Sequence, residues 1–297
     1  MHRTHSLLFA VLAFTFLASV VLAEDVIEYA KPRQIARLGN TDIKESSGLA
    51  VSLTNDNLFW THNRAGDQPR FFGFNLEGTH AIEYGIDGKH VDWADMALFK
   101  TDRQAFMVFA DTGDEELKRK SYTLYVLREP KHSKAAKFGK IDTLKPQAVI
   151  EFTYEGGPQS CSAMGVDASD VKGPKVILIS KTDTGSCKVF ELSLPGSRDK
   201  GPFVAKAIAT LTIPTVTSLT ISSDGRRAMV LTYGDAYEYT RGADQTWAQA
   251  FSNRARILEM PTRRKGETIC YGTDGKTLYL TAEGSPAPFW VVPVRAE

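Results

Sequence analysis

Four carboxylates follow one another closely at the end of an apolar segment, in the stretch FADTGDEELKRK at residues 109–120. They are Asp111, Asp114, Glu115 and Glu116. Carboxylate oxygens are the ligands that Ca²⁺ prefers, and two carboxylates facing each other across a pocket can hydrolyse a glycoside or an ester. A simpler explanation is that Asp and Gly at the end of a strand make a turn and hydrogen-bond their own backbone. The choice depends on which polar residues lie near this segment in the fold.

The apolar segment before Asp111 has counterparts along the chain. Each ends in small, polar or acidic residues, and together they are 58–63, 106–114, 176–183, 228–235 and 277–283. Each follows another short strand-like segment, and two of the connecting turns contain Asp-Gly pairs, which suit tight hairpins. Third and fourth strand-like segments follow in most units. Four strands in a period of about fifty residues are typical of the blades of a β-propeller.

The sequence therefore predicts an all-β fold: a five-bladed β-propeller made of four-stranded antiparallel blades. The fifth unit ends after the apolar segment 289–294 and has only three strands. We expect the N-terminal segment 33–39 to supply the missing strand and close the ring, which removes exposed sheet edges. Six blades are the alternative, because the intervals 129–150 and 240–262 are long.

Such a fold brings the polar segment ends together. Adjacent strands of a blade are antiparallel, so the start of the first strand and the end of the second lie on one face of the disc. We expect both sets to surround the mouth of a central channel. The candidate ligand-binding residues are Glu45, His62, Asn63, Asp92, Asp95, Asp111, Asp114, Glu267 and Glu283. Of these, Asp92, Asp95, Asp111 and Asp114 are the candidate ligands for Ca²⁺, and Asp95, Asp111 and Glu267 are the candidate catalytic residues.

The first 23 residues have the pattern of a secretory signal peptide. Arg3 precedes an uncharged apolar run, and residues 21–23, Val-Leu-Ala, offer a cleavage site. An uncleaved membrane anchor is the alternative, because the run approaches the length that spans a bilayer. We expect an exported protein, periplasmic or extracellular, whose residues 24–297 form a single monomeric propeller domain without a stable membrane span.

Charge and cysteine content narrow the function further. Without residues 1–23 the chain has 35 basic and 35 acidic side chains, and no basic stripe interleaved with aromatic residues, so nucleic acid is a poor candidate partner. Export permits disulfides. We predict a disulfide between Cys161 and Cys187, which lie within one repeat unit, and a buried thiol at Cys270.

Several short motifs lie at these candidate positions. They include Glu45-Ser-Ser-Gly-Leu-Ala, Asp92-Trp-Ala-Asp and Asp111-Thr-Gly-Asp, within a region from about residue 45 to residue 285. As a set they resemble a family of secreted bacterial β-propeller proteins of largely unassigned function. That family is more distantly similar to esterase-like phytase and lactonase propellers, some of which bind Ca²⁺ in the channel. The resemblance therefore implies an acidic site in the channel.

The chain departs from the pattern of that family at several of its acidic positions. Ala94 replaces a Glu, Glu115 replaces an Asn, the segment 160–163 lacks two acids, and Thr220 replaces an Asp. These losses disfavour a conventional catalytic or metal site. We therefore expect a binding module whose acidic mouth recognises a cationic, peptide or carbohydrate ligand. The alternative is a hydrolase, either metal-assisted with Ca²⁺ and similar to phosphoesterases or lactonases, or similar to glycosidases.

Overall fold

The computed structural model describes residues 26–79, 82–101, 104–131, 141–196, 198–263 and 265–295. The predicted signal peptide lies outside these ranges. Within them the chain is almost entirely β-structure, with one short helix. No helix in the described part of the chain is both long enough and apolar enough to cross a membrane.

The strands alternate with short turns along the chain. In chain order they are β1 (Arg33–Arg37), β2 (Ser46–Val51), β3 (Phe59–Asn63), β4 (Arg70–Phe74), β5 (Ile82–Ile86), β6 (Trp93–Thr101), β7 (Gln104–Asp111), β8 (Tyr122–Arg128), β9 (Asp142–Leu144), β10 (Ala148–Tyr154), β11 (Cys161–Asp167), β12 (Lys175–Ser180), β13 (Cys187–Ser193), β14 (Phe203–Leu211), β15 (Val216–Ile221), β16 (Arg227–Thr232), β17 (Ala236–Thr240), β18 (Arg256–Leu258), β19 (Gly266–Tyr271), β20 (Leu278–Ala282) and β21 (Pro288–Val292). The helix α1 (Trp247–Ser252) lies between β17 and β18 and begins with a capping box at Thr246.

The strands form four sheets. Their orders are β2-β3-β4-β5-β9, β6-β7-β8-β10-β14-β13-β12-β11, β15-β16-β17-β18 and β1-β21-β20-β19. In the eight-stranded sheet, two antiparallel four-stranded units are joined by a parallel pairing of β10 with β14. The N-terminal strand β1 pairs antiparallel with β21, as the sequence predicts.

The first strands of the units contact one another in a cycle. The order is β2, β6, β11, β15, β19 and back to β2. The remaining strands extend outward from this cycle, and apolar side chains fill the spaces between neighbouring units. One core, for example, joins Trp60 of β3 to Phe109 of β7, and another joins Phe152 of β10 to Leu178 of β12. This all-β, propeller-like arrangement explains why strands such as β12 are almost continuously apolar: they are covered on both faces.

The two Asp-Gly turns form as the sequence predicts. Gly225 connects β15 to β16 with a φ of 66°, and Gly275 connects β19 to β20 with a φ of 65°. Both values lie in the left-handed region, which glycine enters without a steric cost. These hairpins fix the register of the strands that lead away from the channel.

The predicted disulfide between Cys161 and Cys187 is wrong. Both cysteines are buried free thiols, and so is Cys270. Cys161 lies in β11 and Cys187 in β13, and β12 runs between them with hydrogen bonds to both strands. Residues two strands apart are separated by about 10 Å, which exceeds the Cα separation of about 7 Å that a disulfide can span. The thiol of Cys187 instead donates a hydrogen bond to the carbonyl of Ile213.

Candidate functional site

The acidic turn after β7 is held by hydrogen bonds within the turn and its neighbours. The carboxylate of Asp111 accepts the backbone N–H groups of Val91 and Asp92 at 3.2 and 3.0 Å. It also accepts a hydrogen bond from the guanidinium of Arg119 at 2.8 Å. Asp111 is 1% exposed. All of its strong acceptor directions are therefore directed at the protein, and its charge is neutralised by Arg119.

Asp114 has the same kind of surroundings. It accepts the backbone N–H groups of Lys118 and Arg119 at 3.0 and 2.9 Å, and the hydroxyl of Tyr122 at 2.8 Å. Burial raises the pKa of Asp114, but these hydrogen bonds outweigh burial and hold it below its ordinary value. The turn explanation of this motif therefore accounts for Asp114, whereas Asp111 holds the segment before β6.

Asp92 lies beside the same turn and forms an ion pair with Arg64. Its Oδ1 is 3.4 Å from Nε of Arg64. A Cβ atom at residue 113 would overlap the carboxyl group of Asp92, so only glycine at this position lets the turn approach it so closely. Gly113 of the Asp-Thr-Gly-Asp motif thus makes room for the carboxylate of Asp92.

Asp95 lies inside the channel and connects three of its inner strands. Its Oδ1 accepts the backbone N–H of Met96, and its Oδ2 accepts those of Met164 in β11 and Leu219 in β15. The hydroxyl of Ser218 also donates to Oδ2, at 3.0 Å. Burial raises the pKa of Asp95 well above its ordinary value, against these four hydrogen bonds. Asp95 is thus a structural connection across the channel, with its oxygens occupied.

His62, Asn63 and Glu45 have local roles. His62 is fully buried against Trp93, and burial lowers its pKa to about 4 despite a hydrogen bond between Nδ1 and the carbonyl of Asn63. The amide oxygen of Asn63 accepts the backbone N–H groups of residues 44 and 45, so this side chain holds the loop before β2. Glu45 itself is exposed.

Glu267 differs from the other candidate acids. It is the second residue of β19 and is 4% exposed, and no hydrogen bond from the described residues reaches its carboxylate. Burial raises its pKa to about 7, although the positive charges of Arg64, Lys181 and Lys265 lower it. The Nζ of Lys265 forms an ion pair with Glu283 at 3.1 Å. Of the three candidate catalytic residues, Glu267 is the one whose carboxyl group is not committed to a described hydrogen bond.

The basic residues around Glu267 were not among the predicted site residues. We define the channel mouth as the end of the channel where β2, β6, β11, β15 and β19 begin. Arg64 follows β3 and Lys181 follows β12, so both occupy ends of second strands, where acids were predicted. Arg263 precedes β19, and its Nη2 donates to the carbonyls of Thr232 and Gly234. The sequence does place charged residues at these strand ends, but Arg64 and Lys181 are basic rather than acidic.

Arg64 and Arg263 each have a guanidinium N–H group without a described hydrogen-bond partner. Nη2 of Arg64 and Nε of Arg263 are buried and lack a hydrogen-bond partner among the described residues. Nη2 of Arg64 is 3.6 Å from the exposed carboxylate of Glu115, an ion pair beyond hydrogen-bond distance. Nearby, Lys181 donates to the hydroxyl of Tyr233 at 2.9 Å, and this tyrosine is 36% exposed. The channel mouth is therefore of mixed charge, with unused donors around a buried acid.

The four candidate Ca²⁺ ligands do not converge. Among the described residues no group of three or more His, Cys, Asp or Glu side chains is arranged to hold a metal ion. Asp95 binds backbone amides inside the channel, Asp111 binds the amides of Val91 and Asp92 before β6, and Asp114 binds amides of the turn after β7. Oxygen atoms that already accept N–H groups from different elements do not form the shared cage that Ca²⁺ requires.

Comparison with known proteins shows no family for this chain. No family model and no curated protein matches the chain. Among solved structures, the chain is similar to a candidate 6-phosphogluconolactonase from Bacteroides uniformis, with 13% identity over 85% of this chain and 68% of that one and a TM-score of 0.40. It is also similar to the glutaminyl cyclase of Myxococcus xanthus, with 9% identity over 91% and 99% and a TM-score of 0.47. A third is the β-propeller domain of Cps50 (Swd1) from Myceliophteria thermophila, with 9% identity over 91% and 100% and a TM-score of 0.45. All three TM-scores are below 0.5, so these likenesses carry no argument about this chain, and its function has to be argued from the site.

Proposed function

We propose that this protein is an exported module that binds a polar ligand at the channel mouth, with Glu267 at the centre of the site. One observation supports this most strongly. Glu267 is 96% buried, yet no described residue donates a hydrogen bond to its carboxyl group. Burial of this carboxyl group raises its pKa to about 7. A ligand hydroxyl or amide that reaches Glu267 would donate the hydrogen bond that the described residues do not.

The chemistry around Glu267 favours a ligand with an acidic or other strong acceptor group. The unused donors are the buried N–H groups of Arg64 and Arg263, and guanidinium groups bind carboxylates in preference to neutral acceptors. The acids that would attract a cation, Asp92 and Asp111, are already paired with Arg64 and Arg119. Of the cationic, peptide and carbohydrate ligands that the sequence suggested, we therefore favour a carbohydrate, and specifically an acidic one. The exposed ring of Tyr233 offers a flat apolar surface for a sugar ring.

Three sugars that differ in charge test this proposal. Galacturonate, galactose and galactosamine are titrated by calorimetry into the mature protein, and we expect affinity to fall in that order. Arg64→Gln and Glu267→Gln should each weaken galacturonate binding by about tenfold or more, which corresponds to the loss of one buried, charged hydrogen bond. Glu77→Gln, a substitution of the same type at an exposed site, should leave it unchanged. Tightest binding of galactosamine, or equal binding by all variants, would contradict the proposal.

A hydrolase is the second candidate, and the pKa of Glu267 favours it. An acid with a pKa of about 7 can donate and accept protons at neutral pH. Asp95 and Asp111 are held by other groups, so Glu267 would act as the general acid or base by itself or with Glu283. Hydrolysis of p-nitrophenyl galacturonide, followed from pH 5 to pH 9, tests this candidate. Activity that Glu267→Gln abolishes and Glu77→Gln retains would support catalysis, and no turnover in the wild type would leave a binding module.

We also propose that the four sheets make up five blades. In this interpretation the eight-stranded sheet is two blades joined at their outer edges by β10 and β14, and β1 is the outer strand of the fifth blade. The cycle of five inner strands supports this count. Among the described residues, the long intervals that suggested a sixth blade hold β9, α1, β18 and the start of β10; the first three are too short to build a blade, and β10 belongs to the second one. An experimental electron-density map that showed a further inner strand would overturn the count.

A further inference from the structure

A cavity of about 220 Å³ lies at the end of the channel opposite to the mouth. It is formed where the five inner strands end, and most of its wall is apolar. The apolar side chains that line it include Leu49, Val51, Met96, Leu98, Val166 and Ile221. A second cavity, of about 380 Å³, adjoins it and shares Val51, Leu53 and Thr273 with it.

The hydrogen bonds of Asp95 separate this cavity from the channel mouth. Asp95 lies near the start of β6, and Met96, the next residue, already lines the cavity. The backbone N–H of Met96 donates to Asp95 at 2.9 Å, and the same carboxylate binds β11 and β15. The polar layer around Asp95 is therefore the floor of the cavity. The two ends of the channel are chemically distinct, polar on one side and apolar on the other.

The apolar wall is only partly covered by protein. Val51, Leu98 and Ile221 are partly exposed, although each belongs to an inner strand. Apolar surface left against water is unfavourable. A molecule with a hydrocarbon part would cover this surface and gain that free energy. At about 30 Å³ for each water-sized group, the cavity has room for about seven of them.

The residues at the rim of the cavity suggest that the ligand also has a polar, anionic group. Ser223 and Thr273 lie at the rim, in the two Asp-Gly turns, and both are exposed. Lys100, at the end of β6, is the one charged residue among the described residues that line the cavity. An anionic group at the rim would be attracted to this ammonium and could accept hydrogen bonds from the two hydroxyls. We infer that this end of the channel binds a small amphipathic carboxylate, with its hydrocarbon part in the cavity and its carboxylate at the rim.

Octanoate is the probe that tests this inference. Its seven carbons beyond the carboxylate match the cavity, whereas butyrate fills less than half of it and octylammonium has the wrong charge. Calorimetry should give the tightest binding for octanoate, with butyrate and octylammonium at least tenfold weaker. In methionine-methyl NMR the signal of Met96 should shift on addition of octanoate, and that of Met229, which is fully buried outside the cavity, should not. If no methionine signal shifts at millimolar octanoate, the inference fails.

Substitutions at the exposed rim test the cavity without changing any side chain of the hydrophobic core. Ser223→Trp and Thr273→Trp add a large side chain at the opening without changing a buried position, and each should weaken octanoate binding at least tenfold. Ser193→Trp, at an exposed site at the end of β13, is the matched control and should bind as the wild type does. Glu267→Gln should also bind octanoate normally, which separates this site from the proposed site at the mouth. Equal binding by the rim variants and the control would overturn the assignment.

Discussion

The Oδ2 atom of Asp95 accepts the backbone N–H of Leu219 at 3.1 Å, although the two residues are 124 positions apart in the chain. Asp95 belongs to β6 and Leu219 to β15, and β11 lies between these strands in the cycle of inner strands. The same oxygen also accepts the N–H of Met164 in β11. One carboxylate thus connects three units of the fold. This placement explains why an acid in the channel has no part in the proposed ligand site.

Replacing Asp95 should destabilise the protein strongly. Asp95→Ala leaves the buried N–H groups of Met96, Met164 and Leu219 without an acceptor, and each loss costs about 1–3 kcal/mol. We expect the free energy of unfolding to fall by at least 3 kcal/mol in urea denaturation. Glu45→Ala, at an exposed residue, is the control and should change it by less than about 0.5 kcal/mol. A small effect at Asp95 would mean that water replaces its oxygens.

Glu267 should make the protein less stable as pH rises toward neutrality. Its pKa is about 7 in the folded protein and 4.5 in the reference state, so the folded state binds more protons between these values. The stabilising contribution is complete below about pH 4.5 and is lost as pH rises through 7, a change of about 3 kcal/mol. Glu267→Gln should remove this dependence and be more stable than the wild type at pH 8. Parallel pH profiles of the two melting temperatures would contradict the prediction.

His62 should have the opposite pH dependence. Burial lowers its pKa from 6.5 to about 4, so the unfolded state binds more protons in this range. The contribution of neutral His62 to the free energy of unfolding is complete above pH 6.5. It is lost as pH falls through 4, a change of about 3 kcal/mol. Relative to the wild type, His62→Gln should lose less stability between pH 6.5 and pH 4, measured by urea denaturation at each pH. Equal losses of stability in the wild type and in His62→Gln would contradict the prediction.

Asp111→Asn should weaken the fold, because an amide has one acceptor where the carboxylate has two. Asp111 accepts two backbone N–H groups and the guanidinium of Arg119, so the substitution loses about 1–3 kcal/mol. If neighbouring carboxylates repelled Asp111, the substitution would instead stabilise the fold. Calorimetric titration with Ca²⁺ belongs to the same experiment, and we expect no saturable binding at millimolar concentration. Binding that Asp111→Asn abolishes would restore the calcium hypothesis.

The three cysteines should remain reduced in the purified protein. Cys161 and Cys187 are separated by β12, so a bond between them would require a strand to leave the sheet. Alkylation under denaturing, non-reducing conditions followed by mass spectrometry should find three modified thiols in each chain. Addition of a reductant should leave the melting temperature unchanged. A peptide that contains both Cys161 and Cys187 in an oxidised link would show that the strand order differs from the one described.

The sequence by itself determined the elements and their order. Apolar runs of strand length with a period of about fifty residues identify the strands, and Asp-Gly pairs identify the hairpin turns at Gly225 and Gly275. The pairing of β1 with β21 followed from counting strands. These features are local, or depend on the need of every strand edge for a partner. They can therefore be recognised without knowing which residues meet in space.

Only the tertiary structure decided what each polar residue does. Asp95, Asp111 and Glu267 all stand near the ends of strands, yet two accept hydrogen bonds from the protein and one lacks a described partner. The difference lies in neighbours far away in the chain, such as Leu219 for Asp95. In the same way, the disulfide predicted between Cys161 and Cys187 is absent because β12 lies between them in the sheet, an arrangement that local sequence does not reveal. The pKa of a carboxyl group depends on its burial and on which donors and charges surround it, and those are properties of the packed fold.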